Sequence, residues 1–350
     1  MIYLGNCRNQ DIVAQEWYKE VEAFLTMRKK KNSRYRLHEK QRKKIVNTRF
    51  YNTYFHKMLG AGLLRLESKR KTMETERKLF GEILYYYKDH LKEIITANES
   101  NLVAVNQNYE DFYKGVDAKV RKWVESVVKS VFVGLYEDFT KTGSHVRDML
   151  DRMHIRTCPY CNRSYIIAIY ATAKGEVTVR PELDHFYPKS VHPFLVLSFY
   201  NLLPTCPACN HVKGNRIIGI NPHFKKIESK FVVDDGKRNH DEMSKQDLLN
   251  LKRAEMNIHI EGTPEEQQNI EKFGINQLYK EHSDYVEEIF TKARAYDAYA
   301  RKALAESFQK QGQTEQDVYD FVWGRYLDVA EQEKRPLSKL TRDLLDELGI

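Results

Sequence analysis

The chain has 350 residues, 41% hydrophobic and 30% charged, with Gly 16 and Pro 9. That length fits two or three structural units able to bury cores without disulfides, and the composition excludes collagen-like and Pro/Gly-rich disordered classes. The net charge of +8 is uneven: residues 1–150 hold 29 Lys+Arg against 19 Asp+Glu, whereas residues 151–350 hold 28 against 30.

The first eight residues lack the basic-then-apolar order of a signal peptide. No run approaches the ~18 apolar residues of a membrane span; the best are residues 166–173 and 131–136. A soluble, cytoplasmic protein with no membrane partner is therefore expected. Cys7 stands apart from the other cysteines and reads as a small buried apolar residue. Helix is predicted over residues 12–27. The following run, 28–44, carries ten basic side chains (Arg28, Lys29, Lys30, Lys31, Arg34, Arg36, Lys40, Arg42, Lys43, Lys44) and one acid, Glu39. Neutralising phosphates releases counterions, so a polyanion is the natural partner, with nucleic-acid contacts expected from Lys29, Lys30, Lys31, Lys43 and Lys44. A solvated helix face or a basic loop is the alternative. Phe50, Tyr51, Tyr54 and Phe55 fall at helical spacing, which favours core packing over base stacking. Helix is predicted again over residues 80–95, then an Asn-rich connection over 98–108. From Val120 to Phe139 the apolar residues follow the three/four spacing of a helix with one wide buried stripe.

The period then changes. Residues 164–170 and 177–183 are β-branched and aromatic around a Lys174-Gly175 turn, which predicts a hairpin. Residues 206–214 suit a short helix ending at Gly214. Two short strands are predicted at residues 231–233 and 256–260. Thr263-Pro264-Glu265-Glu266 combines a cap, a Pro at the first helical position and a Glu three residues on. Helices are expected over residues 264–273, 283–309, 315–331 and 338–348, with Val318, Phe321, Val322 and Tyr326 on the buried face of the third. The expected architecture is mainly α with a small central α+β module. It divides into a basic helical region (1–150), a central module (151–225) and a C-terminal region of short strands then helices (226–350).

The remaining cysteines form two pairs, Cys158-Pro-Tyr-Cys161 and Cys206-Pro-Ala-Cys209. In a cytoplasmic protein such pairs are metal ligands more often than disulfides. Two knuckles, each with Pro after the first Cys, read as four thiolates for one tetrahedral structural zinc. The 44 residues between Cys161 and Cys206 exceed a compact zinc ribbon, so folded structure must lie between the knuckles. Around them stand Asp184-His185, Asn201, Asn210 and Lys213. Phosphodiester hydrolysis needs a base for water, a cation for the phosphate and leaving oxygen, and basic side chains for the backbone. His185 suits the base; Asp184 and Asn210 offer hard oxygen ligands for Mg²⁺ or Mn²⁺. Lys213, three residues after Asn210, shares its helix face. His154, His192, His211 and His223 flank the region and read as packing or surface residues.

The string from Cys158-Pro-Tyr-Cys161 through Glu182-Leu-Asp184-His185-Phe-Tyr-Pro188-Lys-Ser190 to Asn201-Leu-Leu-Pro-Thr-Cys206-Pro-Ala-Cys209-Asn210-His-Val-Lys213-Gly214 resembles a zinc-knuckle HNH endonuclease. The resemblance covers about residues 158–215. It implies a ββα-metal core in which His185 is the general base, Asp184 and Asn210 hold the catalytic metal, and Asn201 braces the intervening loop. The helix ligand is Asn rather than the His of the family's last letter, a variation that many members share. The helical flanks and the ending Arg335-Pro-Leu-Ser-Lys-Leu-Thr-Arg342 are similar to HNH proteins of Septu-type anti-phage defence modules, which pair the nuclease with an ATPase. The expected activity is metal-dependent DNA cleavage leaving 5′-phosphate and 3′-hydroxyl ends, with a homodimer or two nicks needed for a double-strand break. The motif reads a phosphate rather than a sugar, so an RNA substrate stays open. The alternative is a zinc-stabilised nucleic-acid-binding or scaffold subunit whose nuclease site is unused.

Overall fold

Three/four spacing of apolar residues becomes helix wherever a cap can start it and a buried face can hold it. The computed structural model describes residues 2, 4, 9–26, 53–69, 74–141, 144–170, 177–179 and 181–350. The basic run 28–44, Cys7, Phe50 and Tyr51 lie outside these residues. The chain divides into two compact units, each discontinuous in sequence.

One unit comprises Asn9–Met153 and Ala168–Leu203. Among the described residues its helices are α1 (Gln10–Thr26), α2 (Tyr54–Lys69), α3 (Glu74–Asp89), α4 (Leu91–Ile95), α5 (Glu99–Asp111), α6 (Ala118–Lys141) and α7 (His145–Met153). The stripe predicted for α6 is buried at Val124, Val127, Val128, Val131, Phe132, Leu135 and Phe139. Tyr54 and Phe55 are core residues, as their spacing predicts. The Asn-rich stretch is a correction: residues 98–108 are not a connection but the cap and body of α5. Asn98 accepts a hydrogen bond from the Asn101 amide, and Leu102, Val105 and Tyr109 give the helix a buried face. The predicted helix 80–95 begins earlier, at Glu74, and breaks at His90 into α3 and α4.

The described part of the predicted hairpin is short. Among the described residues β1 (Ile169–Tyr170) and β2 (Val177–Val179) pair, antiparallel and with a register irregularity, and the predicted Lys174-Gly175 turn lies outside the described residues. Glu182–His185 forms a separate strand, β3, which pairs with β4 (Leu202–Thr205). The loop between β3 and β4 is anchored to the helices of its own unit. Phe194 inserts its ring among Tyr87, Tyr109 and Phe132 at centroid separations of 5.4, 4.9 and 5.5 Å. The Trp17 indole donates to the Leu197 carbonyl at 2.8 Å and the Ser198 hydroxyl to the Ile94 carbonyl at 2.6 Å. The Tyr200 hydroxyl donates to Asp11. Buried aromatic area and satisfied carbonyls hold an otherwise irregular segment in one conformation.

The other unit comprises Met1–Arg8, His154–Ile167 and Pro204–Ile350. It contains α8 (Pro207–Lys213), β5 (Lys230–Asp234), α9 (Lys245–Asn250), β6 (Asn257–Glu261), α10 (Pro264–Phe273), α11 (Ile275–Lys280), α12 (Ser283–Ala295), α13 (Ala298–Gln309), α14 (Glu315–Trp323) and α15 (Ser338–Glu347). β5 and β6 are the two predicted strands, paired antiparallel from Lys230↔Glu261 to Asp234↔Asn257. α10 has the predicted bounds and capping box, and the buried Glu266 also accepts the Glu228 and Ser229 amides. Two predicted helices are corrected. Residues 283–309 split where Asp297 caps α13 by accepting from the Ala300 amide. Residues 315–331 stop at Trp323, because Gly324 takes φ 94°, outside helical space. The buried face of α14 is consequently Val318 with Trp323, while Phe321 is 70% and Tyr326 40% exposed.

Candidate metal-binding and catalytic site

The four knuckle cysteines meet in one cluster. Cys158, Cys161, Cys206 and Cys209 are buried, with all four sulfurs within 4.8 Å of one another. Local backbone geometry builds the first knuckle: the Asn162 amide donates to the Cys158 carbonyl at 2.7 Å, and the Cys158 amide to the Ser164 carbonyl at 3.0 Å. The Arg163 amide points at the Cys161 sulfur, 3.4 Å away. In the second knuckle the Asn210 amide donates to the Cys206 carbonyl at 3.1 Å as α8 begins. Cys161 and Cys206 sulfurs lie 3.9 Å apart. A disulfide needs ~2.05 Å, whereas the edge of a tetrahedron with ~2.3 Å zinc–sulfur bonds is about 3.8 Å. The donor set therefore fits a structural zinc. Burial pushes the Cys158 thiol up, and the neighbouring thiols pull Cys206 down by hydrogen bonding. A divalent cation would resolve that conflict by taking all four as thiolates.

Sequence reasoning missed Asn162, the residue after Cys161. Its φ of 49° is a left-handed conformation that Asn tolerates better than most residues. Buried at 1% exposure, its amide nitrogen donates to Thr157 and to the Gln332 and Arg335 carbonyls. Its side-chain oxygen accepts from the Lys339 amide at 3.1 Å, and its carbonyl from the Leu337 amide at 2.7 Å. The first knuckle is thereby tied to the segment that opens α15. An Asn directly after CxxC was the available signal; its distant partners were not.

Asp184 and His185 close β3 and are buried at 3% and 6% exposure. The His185 Nε2 lies 3.0 Å from the Val196 carbonyl. A carbonyl oxygen only accepts, so Nε2 carries the hydrogen, and in the neutral ring Nδ1 then holds the lone pair. Tyr136 of α6 packs its ring edge-on against the imidazole at 4.6 Å, and its hydroxyl donates to the Leu183 carbonyl. The fully buried Asn201 accepts from the Tyr187 amide at 2.7 Å and donates to the Tyr187 and Leu195 carbonyls at 3.2 and 2.9 Å. One amide side chain thus pins both ends of the segment that carries the residues after His185 toward Val196.

On α8, Asn210 is half-buried, while Lys213 is only 1% exposed. The helix spacing does put them on neighbouring positions, but Lys213 shares the buried face with Cys209 and is an interior cation. Of the flanking histidines, His154 and His211 are exposed and His223 is buried. His192 pairs with Asn106 at 2.5 Å. Lys29, Lys30, Lys31, Lys43 and Lys44 lie outside the described residues. Among the described residues no helix is long and apolar enough to cross a membrane.

No family model matches the chain, and no solved structure matches it significantly. Over 86 residues it is 30% identical to the Septu protein PtuB of Bacillus thuringiensis, a match covering 23% of this chain and 30% of that protein. The chain thus spans about a third of the length of the curated relative it matches.

Proposed function

We propose that the chain is a metal-dependent HNH endonuclease that hydrolyses the DNA backbone and serves in anti-phage defence. The observation that carries the reading is His185, buried at the end of β3 with Nε2 held by the Val196 carbonyl, an orientation that assigns the role of base to Nδ1. The ordered motif around it, the four-cysteine cluster and the likeness to a Septu protein support the same conclusion. The motif resemblance implies that Asp184 and Asn210 would supply oxygen donors for Mg²⁺ or Mn²⁺, whose chemistry is to stabilise charge on the scissile phosphate and the departing oxygen.

In this mechanism His185 Nδ1 takes a proton from water as its oxygen forms the new bond to phosphorus. The bond from phosphorus to the 3′ oxygen breaks, and that oxygen gains a proton from solvent. The products carry 5′-phosphate and 3′-hydroxyl ends. The Val196 carbonyl stabilises the imidazolium that results, because its hydrogen bond becomes charge-assisted. Asn201 keeps that carbonyl in register by fixing Leu195 beside it. Cys158, Cys161, Cys206 and Cys209 would hold a structural zinc through four thiolates, and such a zinc would take no part in the reaction. The Septu resemblance makes an ATPase the partner to test first.

The test is incubation of the full chain with supercoiled plasmid, linear DNA and RNA, in Mg²⁺, Mn²⁺ or EDTA. Cleavage is expected with metal and absent with EDTA. His185→Ala is expected to cost about 10²–10⁴-fold in rate while leaving zinc content and melting unchanged. Wild-type turnover by that variant refutes the assignment of the base. Binding without cleavage in every metal, with and without an ATPase partner, favours the zinc-stabilised scaffold instead.

A further inference from the structure

Lys189, four residues beyond His185, has no role in the mechanism above. Its ammonium sits over the face of the Tyr136 ring, 4.5 Å from the centroid, and the same ring packs against His185 at 4.6 Å. The ammonium is therefore no farther than about 9 Å from the imidazole, the axial rise of two to three nucleotides at ~3.4 Å each along one strand. Lys189 is half-buried, and among the described residues no carboxylate lies within salt-bridge distance of it. The Glu137 carboxylate, on the same stretch of α6, is engaged by Lys141 at 3.1 Å. The local balance of Lys189, Lys141 and Glu137 is one net positive charge. Burial also pulls the Lys189 ammonium below the usual lysine range, with Glu137 opposing and Lys141 adding to that shift. A half-buried cation aimed by an aromatic face, rather than by a carboxylate, keeps its charge available for an anion from outside.

We propose that Lys189 is a phosphate-contact residue, held by Tyr136 against a backbone phosphate of the nucleic acid strand bound at His185. The proposal rests on the nuclease reading for its substrate and extends it by naming the side chain that holds the strand.

The test measures binding of a labelled DNA duplex to full-length His185→Ala protein in EDTA, from 50 to 200 mM KCl, so that it does not depend on cleavage. Lys189→Met is expected to lower the slope of log affinity against log salt by about 0.9, so that its affinity falls ~3.5-fold less than the parent's over that range. Lys189→Arg is expected to restore the slope, which a merely structural loss would not permit. An unchanged slope in Lys189→Met overturns the proposal, as does failure of the parent to bind duplex or single strands. If wild-type protein never cleaves, yet Lys189→Met flattens the slope and Lys189→Arg restores it, the contact stands and the nuclease reading falls. If wild-type protein cleaves and the slope does not move, the contact alone falls.

Discussion

Asn201 gives a quantitative test of how the candidate site is held. Asn201→Ala removes three hydrogen bonds: the fully buried one to the Leu195 carbonyl and two part-buried ones to the Tyr187 backbone. An orphaned buried carbonyl costs ~1–3 kcal/mol and each part-buried bond ~0.5–1.5, so about 2–6 kcal/mol is expected, independent of pH. Asn201→Asp is more revealing, because it keeps the acceptor for the Tyr187 amide and replaces only the donor. At neutral pH the new carboxylate would face two carbonyls at a position with 0% exposure. The loss should then reach about 3–5 kcal/mol, and the carboxyl should hold its proton well above the usual range. Protonated, it can donate again. Its folded-state pKa is raised, so stability should be regained as pH falls from 8 to 5. Urea denaturation at both pH values reads the energies, and hydrogen exchange at the Tyr187 amide localises them. Cleavage should fall by more than the unfolded fraction explains, since the loop also carries the Val196 carbonyl. If both variants unfold within about 0.5 kcal/mol of wild type, Asn201 does not hold the loop and the bracing argument is wrong.

Cys158→Ser or Cys209→Ser should lose the zinc and unfold the unit that holds the cluster, because binding free energy at a structural site is folding free energy; elemental analysis and melting check both, and a variant with full zinc and native melting shows the cysteines do not share a metal. Burial lifts the Glu333 carboxyl to about 7, so the folded state holds its proton longer than the unfolded chain does. Stability should therefore fall as pH rises from ~4.5 to 7, by up to about 3 kcal/mol, and Glu333→Gln should flatten that part of the denaturation profile. Neutralising Lys29, Lys30, Lys31, Lys43 and Lys44 should flatten the salt dependence of duplex binding by up to ~4.5 while saturating single-turnover cleavage stays near wild type. An unchanged slope would make that run a solvated face or a protein-docking surface.

The local chemistry was legible in the sequence. Two CxxC pairs point to a metal-binding cluster by ligand type and spacing alone, and the sulfurs do converge within 4.8 Å. The capping box at Thr263, the stripe of α6 and the two strands flanking residues 235–256 follow from short-range rules, which need only neighbours a turn or a pleat away. Errors arose where a short-range cue had two meanings. Asparagines that suggested a connection instead capped α5 and lay on its surface, and Gly324 ended a helix that periodicity alone would continue. Tertiary structure decided what long-range partners make of each residue. Lys213 taken alone reads as a surface cation, whereas the fold buries it. Asn162 looks like spacer until its amide meets a segment 170 residues away. The tautomer of His185 depends on the Val196 carbonyl, and the aim of Lys189 on a ring of α6. A side chain's type is written in the sequence, but its protonation, exposure and partners are set by what the fold brings against it.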